Sequence, residues 1–512
     1  MEVFGVSLSL WTVVTTVLLL WIISVIYEWL SHLAWRRKYK LRGDFPLPLV
    51  GNLFSVTGQK WEKVDDKMLE KYGPVSVITF GKFTTINVSD TGLLKKIFIK
   101  DHLNFQNRFT AESLDTWPMN QTLIALKGDQ WKRVRHIVTP TFSTGKIKMM
   151  VKEMNYCAGL LTTGLMEKAK AGESIDSRKH FGCYTMDVIA GTAFGIRTDS
   201  YNNPDEQFVS LAQQVFGQSA LNPLIMFAVF FPRIGSFMVQ WLGVCLFYSK
   251  KALSFFTDVI KAIINERQEK GDTGRTDMLQ LMMNANFEVG TEETKENSQS
   301  GKKLLLDELL GMGIVVFAAG YETTALLLTY LSYILATHPD VQDKLLKEVD
   351  QHFPSDDTEV RYDVVMEMPY LDQVICETLR MYPPVNKMNR VASKNDIEID
   401  GHWFPQDTII GFSIWQVHHS LGYYPEPEQF KPERFTHEEK AKRDPFVFMP
   451  FGHGPRNCIG MRLALLEAKI ATVSVLRKLK FVKCPETAEH LDLIKETFMK
   501  PKNPVKVGVV VR

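Results

Sequence analysis

The stretch Phe451-Gly452-His453-Gly454-Pro455-Arg456-Asn457-Cys458-Ile459-Gly460 decides how this chain is read. Its one cysteine lies between glycines and two residues after an arginine. Directly behind it runs Met461-Arg462-Leu463-Ala464-Leu465-Leu466-Glu467-Ala468-Lys469, rich in good helix formers. Cys458 is therefore placed at a helix N-terminus, where the dipole and free backbone N–H groups predict a lowered thiol pKa. Gly452, Gly454 and Gly460 let backbone approach a flat group closely. Phe451 is positioned to shield the sulfur, and Arg456 brings a fixed positive charge suited to a carboxylate. This setting is wrong for a disulfide and right for a thiolate on haem iron, with Arg456 facing a propionate. Such a thiolate pushes electron density onto the metal and favours O–O cleavage.

A second stretch, Ala319-Gly320-Tyr321-Glu322-Thr323-Thr324, lies inside an apolar run from Leu304 to about His338. Asp307 and Glu308 suit a first helical turn, and His338-Pro339 marks the stop. A helix this apolar belongs in the core. Glu322 and Thr323 in its middle therefore need partners. A threonine hydroxyl can bond back to the carbonyl one turn earlier and bend the helix. Small Ala319 and Gly320 predict a groove at that level, with room for O2 and water.

Two weaker patterns accompany these. In Glu377-Thr378-Leu379-Arg380 the spacing of three puts both charges on one helix face, ahead of the helix-ending Pro383-Pro384. Trp131 and Arg135, four apart in Trp131-Lys132-Arg133-Val134-Arg135, share another. Pro432-Glu433-Arg434-Phe435 stands upstream of the cysteine stretch.

Taken together, these motifs resemble the cytochrome P450 family over about Pro46 to Arg512, in the family's order. The resemblance implies a mainly α fold with a small β portion, an N-terminal single-pass transmembrane helix, and haem b bound through Cys458. It implies a proton relay of Thr323 with Glu322 as its acidic neighbour, in the Ala319–Gly320 groove. Arg456, Arg135, Trp131, Arg390 and Arg108 are implied to meet the propionates. Glu377, Arg380 and Arg434 are implied to form a buried ion network that locks the cysteine loop. Ala318, Val385 and Met388 are candidate pocket residues, and Asn386 and Lys387 make the wall after Pro383-Pro384 more polar. The wording of Pro140-Thr141-Phe142-Ser143-Thr144-Gly145-Lys146 and Gly454 to Arg462 is similar to the microsomal branch, family 3 subfamily A. Members of that branch oxidise apolar compounds such as steroids, fatty acids and xenobiotics. No nucleotide-binding glycine motif or flavin domain is evident, so electrons are expected from NADPH through a separate flavoprotein reductase, with cytochrome b5 as a further partner. Lys132, Arg133, Lys146, Lys148 and Arg462 offer an acidic partner a basic face. Two rivals are a haem-thiolate isomerase similar to thromboxane synthase and a non-catalytic haem or lipid-binding protein. Thr323 argues against both.

The remaining sequence sets the organisation. No repeat or linker divides the 512 residues after residue 46. The net charge of +2 does not indicate a nucleic-acid partner. Six scattered cysteines without a C-x-x-C pair suggest a reducing compartment and no zinc. Val3 to Tyr27 carries no charge and is long enough to cross roughly 30 Å of hydrocarbon. The basic Arg36-Arg37-Lys38 behind it places the body in the cytosol, at the endoplasmic reticulum membrane. The expected divisions are an anchor over 1–30, a basic and proline-rich hinge over 31–51, and a catalytic domain over 52–512. Leu221 to Tyr248 is dense in aromatics without balancing charge, which favours a lipid-dipping segment over a core helix pair. Glu288 to Lys303 reads as a polar surface linker.

Overall fold

The computed structural model describes residues 2–3, 6–7, 10–56, 61–111, 115–202, 207–215, 222–271, 274–285, 287–288, 303–354, 359–495 and 497–512. Most of the polar 288–303 segment lies outside these, as do several of the first nine residues. The fold is 58% helix and 12% strand, which confirms a mainly α chain with a small β portion. The axis of the body is the helix Leu306–Thr337. Its start is fixed by Glu308, whose carboxylate accepts the Leu305 N–H at 3.1 Å, and its end by Pro339. It is apolar enough to cross a membrane, yet it is mostly buried inside the protein and so forms core.

Around it the apolar faces of Thr144–Ala171, Ser177–Ile189, Lys250–Lys270, Pro369–Met381 and Met461–Leu476 close one large hydrophobic cluster. The approach to Ser177–Ile189 is tight. Thr185 donates to the Tyr321 carbonyl at 3.0 Å, and a Cβ on Gly320 would meet Ile189 at 2.7 Å. The main sheet orders Val75–Phe80, Phe83–Val88, Ile409–Ser413 and Lys387–Val391. Ile409–Ser413 runs parallel to Phe83–Val88 and antiparallel to Lys387–Val391, and it packs a second core of its own. A smaller sheet joins Leu479–Val482, Lys506–Val511 and Ser174–Asp176.

The N-terminal helix, Leu10–Lys38, is the second one long and apolar enough to span a bilayer, and its apolar window is wholly unburied. It runs past residue 30 without a break, and its last two turns dock on the body. Trp29 donates to the Pro46 carbonyl at 2.8 Å, His32 meets Thr84 at 2.9 Å, Arg36 donates to the Asp44 carbonyl at 2.9 Å, and Tyr39 bonds Asp396. The segment after it is stitched rather than free: Asp44 takes Lys71 at 2.7 Å and Tyr72 at 2.6 Å, and Val77 N–H reaches the Arg42 carbonyl at 2.8 Å. The Leu221–Tyr248 region forms two short helices, Pro223–Phe230 and Pro232–Gln240, bent by 116°. Leu224, Phe237, Leu242 and Trp241 stay exposed, Trp241 at 79%.

The docking sets where the chain can be cut. A chain beginning at Glu28 is expected to keep the thermal midpoint of its body. One beginning at Leu41 loses the bonds of Trp29 to Pro46, His32 to Thr84, Arg36 to Asp44 and Tyr39 to Asp396 and is expected to melt several degrees lower, as followed by circular dichroism in detergent. Equal midpoints for the two would show that the docked turns contribute nothing.

Candidate functional site

The cysteine loop owes its shape to glycine at two positions. Gly452 and Gly454 hold φ of +68° and +76°. A Cβ on Gly454 would fall 2.4 Å from the Phe98 carbonyl oxygen. Inside the loop, Gly452 N–H donates to Met449 O at 3.0 Å, Asn457 N–H to Gly454 O at 3.0 Å, and Cys458 N–H to Phe451 O at 2.9 Å. Phe451 packs against the main core beside Ile459. Cys458 keeps exposed surface although protein encloses it on nearly every side, so its sulfur faces an internal space.

The thiol does not titrate as its position before a helix predicts. The N–H groups of Gly460 and Met461, with Arg135 and Arg108, do lower its pKa, but burial raises it by more and the net direction is upward. Desolvation outweighs the helix end here. Burial at this depth favours the neutral thiol unless a cation meets the sulfur.

Two guanidiniums, Arg135 and Arg108, act on this sulfur, and Arg390 and Arg456 lie near Arg108. Arg135 donates to Asn457 Oδ1 at 3.0 Å and Arg108 to the Arg456 carbonyl at 3.2 Å. Arg390 is buried, bonded to Asn389 O at 2.7 Å and lying 4.9 Å from the Phe98 ring centre. Arg456 spends three N–H groups on the carbonyls of Gln106, Leu123 and Leu126 at 2.7–2.9 Å, and stacks 4.0 Å over Trp131. Burial pushes all four pKa values down, Arg456 to about 9, and Arg108 and Arg135 add to the push on Arg456. A guanidinium does not surrender its proton at such a pH, so the cluster calls for anions. Arg108 Nε is buried with no acceptor. One sulfur ligand flanked by surplus guanidiniums fits a haem with its two propionates.

On the other side of the loop, Glu377 and Arg380 are fully buried and joined by two hydrogen bonds of 2.7 and 2.9 Å. Glu377 also takes the Lys431 N–H at 3.0 Å and stands 3.4 Å from Arg434. The three charges named from sequence therefore meet.

The central helix presents its groove differently from expectation. Ala319 is its only exposed residue, and Thr323 hydroxyl, open on the same side, donates to Ala319 O at 2.7 Å. Gly320 does not line that groove, because its missing side chain makes room for Ile189 of the neighbouring helix. Ala318 packs into the core cluster. Glu322 sits 2.5 Å from Arg178 and 3.3 Å from Lys500. Val385 is half-buried and bridges to Phe498, while Met388 lies over Gly452 of the cysteine loop. Asn386 and Lys387 do not make the wall polar. Asn386 is buried and stitched to Lys495 O, Ser413 and Trp415 N at 3.1–3.2 Å, and Lys387 pairs with Asp65. Of the basic residues, Lys132 and Lys148 pair with Asp129 and Asp363, and Arg133 turns inward onto Glu308. Sequence reasoning missed His418, whose ring accepts the Met449 N–H at 2.9 Å. Its His-His neighbours gave no periodic or motif signal.

Residues 41–509 match the family described as Cytochrome P450. Similar curated proteins include Cytochrome P450 3A2 of Rattus norvegicus, 35% identical over 507 residues, covering 99% of this chain and 98% of its own. Cytochrome P450 3A14 of Cavia porcellus is 36% identical over 488 residues, with 95% and 94% covered. Cytochrome P450 3A29 of Sus scrofa is 35% identical over 509 residues, with 99% and 98% covered.

The buried pair gives a sharp test. Glu377→Gln removes the counter-charge of Arg380 and is expected to cost ~3–5 kcal/mol of stability. Chemical denaturation checks it; a loss under about 1 kcal/mol would show that the pair is not what fixes this region.

Proposed function

The chain belongs to the cytochrome P450 family, and on that premise we propose that it inserts one oxygen atom of O2 into apolar substrates of the steroid, fatty-acid or xenobiotic kind. Haem b is the family's cofactor, and when bound it supplies the oxygen-activating and electron-transfer chemistry. We place its iron on Cys458 and its propionates among Arg108, Arg135, Arg390 and Arg456, with Trp131 backing Arg456. Electrons come from NADPH through a separate membrane-bound reductase, with cytochrome b5 as a second donor. The helix Leu10–Lys38 and the exposed aromatic hairpin at 223–240 hold the body on the cytosolic face of the endoplasmic reticulum. The observation that carries the reading is the enclosed Cys458 sulfur among guanidiniums that have no carboxylate of their own.

The protein's own residues divide the work. Cys458 would donate electron density to the iron from a loop held by its own backbone bonds and by the positive φ of Gly452 and Gly454. Ala319 keeps one side of the central helix small, and this leaves space for O2 and substrate. Thr323 donates its one hydroxyl proton to Ala319 O and keeps its oxygen lone pairs free at the rim of that space, so it accepts a proton there as it passes one on. Glu322 is the nearest acid along the chain. Its ion pairs with Arg178 and Lys500 connect Thr323's neighbourhood to the protein surface, and it reaches Thr323 only by leaving them. Val385 supplies an apolar wall. Gly320 serves helix packing rather than chemistry, and Ala318 belongs to the core behind the wall.

Two substitutions test the assignment. Cys458→Ala is expected to abolish the red-shifted absorption band that reduced haem-thiolate proteins give with carbon monoxide; a normal band would remove Cys458 as the ligand. Thr323→Ala is expected to keep that band but lower product formed per NADPH by roughly tenfold or more, with hydrogen peroxide rising in step. Unchanged coupling would take Thr323 out of the relay.

A further inference from the structure

We propose that His418 is a positioning residue that ties the buried Glu377–Arg380 pair to the loop holding the Cys458 thiolate, and that its lone pair is what keeps this loop in register. The proposal rests on the reading of Cys458 as the iron ligand. It names a residue outside every motif discussed so far, at the end of the short helix Ile414–His418.

The ring is wholly buried and stacks on Phe448 with centroids 5.4 Å apart. Its two nitrogens have fixed and opposite roles. Nδ1 lies 3.2 Å from the Arg380 carbonyl oxygen, which can only accept, so Nδ1 carries the proton. Nε2 lies 2.9 Å from the Met449 backbone N–H, which can only donate, so Nε2 offers a lone pair. His418 is therefore a neutral ring in a single tautomer. Burial and the charge of Arg380 press the same way, lowering its pKa to about 3. The contact with Arg380 is reciprocal, since the Arg380 guanidinium donates to the His418 carbonyl at 3.0 Å.

Met449 is where the cysteine loop begins. Its N–H is held by His418, and its carbonyl takes the Gly452 N–H at 3.0 Å. Two residues on, the Phe451 carbonyl takes the Cys458 N–H at 2.9 Å. An unbroken line of short contacts thus runs from Glu377 through Arg380 and the His418 ring to Met449, and on through the loop to Cys458. Arg434 reaches Glu377 but not the loop, so the His418 ring is the link between the ion network and the loop along this line. The Met449 N–H lies in an apolar setting beside Phe446, and the ring nitrogen is the acceptor that satisfies it.

Three variants separate the lone pair from the bulk of the ring. His418→Gln places a carbonyl oxygen near the former Nε2 and retains an acceptor for Met449 N–H. His418→Asn retains only a donor near Nδ1, toward Arg380 O. His418→Phe keeps the shape and removes both. Each full-length holoprotein is reduced under carbon monoxide, and the rate at which the thiolate-type band converts to the band of haem without thiolate is measured. The expected result is conversion faster by about tenfold or more in the Asn and Phe variants, and close to the wild-type rate in Gln. Wild-type rates in Asn and Phe, or a Gln variant as fast as Phe, would overturn the proposal. If Phe yields no holoprotein, the Gln and Asn pair alone decides. A wild-type chain without any thiolate-type band would instead fault the assignment of Cys458.

Discussion

A carboxylate and a guanidinium at zero exposure are tolerable only if they are paired and their remaining groups are bonded, and Glu377 and Arg380 meet each other through two hydrogen bonds. The surroundings follow from that demand. Glu377 has lone pairs left over, and these fix the Lys431 backbone and hold Arg434 nearby. Arg380 has N–H groups left over, and these reach the carbonyls of His418 and Gln429. Two chain segments distant in sequence, at 418 and at 429–434, are thus pinned to one ion pair. None of these contacts is strong on its own, but inside an apolar core each unmade bond would be costly, so the arrangement has one low-energy solution. A loop that must present a sulfur at one place needs a frame of this kind.

The opposite flank of the loop is built on imbalance. Arg108, Arg135, Arg390 and Arg456 gather with no carboxylate among them, and they push one another's pKa values down. Backbone carbonyls and aromatic faces relieve part of this, as the stacking of Arg456 on Trp131 shows. What is left unrelieved suits an anionic partner such as the propionates of the family's haem. The same logic explains the raised thiol of Cys458: a site that favours neither a free thiolate nor free guanidiniums favours a group that brings both a cation for the sulfur and anions for the arginines.

The sequence exposed those parts whose chemistry sits in contiguous residues. The cysteine loop and the central helix with Thr323 bonded back to Ala319 could be read because local pattern and fold agree there. What could not be read depends on which way a side chain points. Gly320 looked like part of a groove, yet one residue of helical rotation turns it onto Ile189. Asn386 and Lys387 looked like pocket polarity, yet one side chain joins two segments and the other pairs with Asp65. The expected acidity of Cys458 failed on magnitude, because a helix end acts over one turn while burial acts from every side. His418 carries its role through contacts spanning 38 and 31 residues of sequence, beyond any local window.

These placements divide the site by kind of interaction. On the sulfur side nearly every contact is a directed hydrogen bond with a single geometry. On the side of Ala319 and Val385 the walls are small and apolar, and the polar groups that sequence alone placed there are turned away into the frame. Recognition of substrate on that side then rests on shape and apolar area. A methylene more or less against an apolar wall is worth only about 1–3 kcal/mol, so on the proposed reading related apolar molecules would be told apart by small steps. The exposed helix pair at 223–240 is apolar apart from Arg233, and the bridge between Val385 and Phe498 adds no charge, so both would shape an approach by apolar area more than by ion pairing. A rigid polar frame beneath an apolar wall keeps the geometry of the sulfur independent of what lies against that wall.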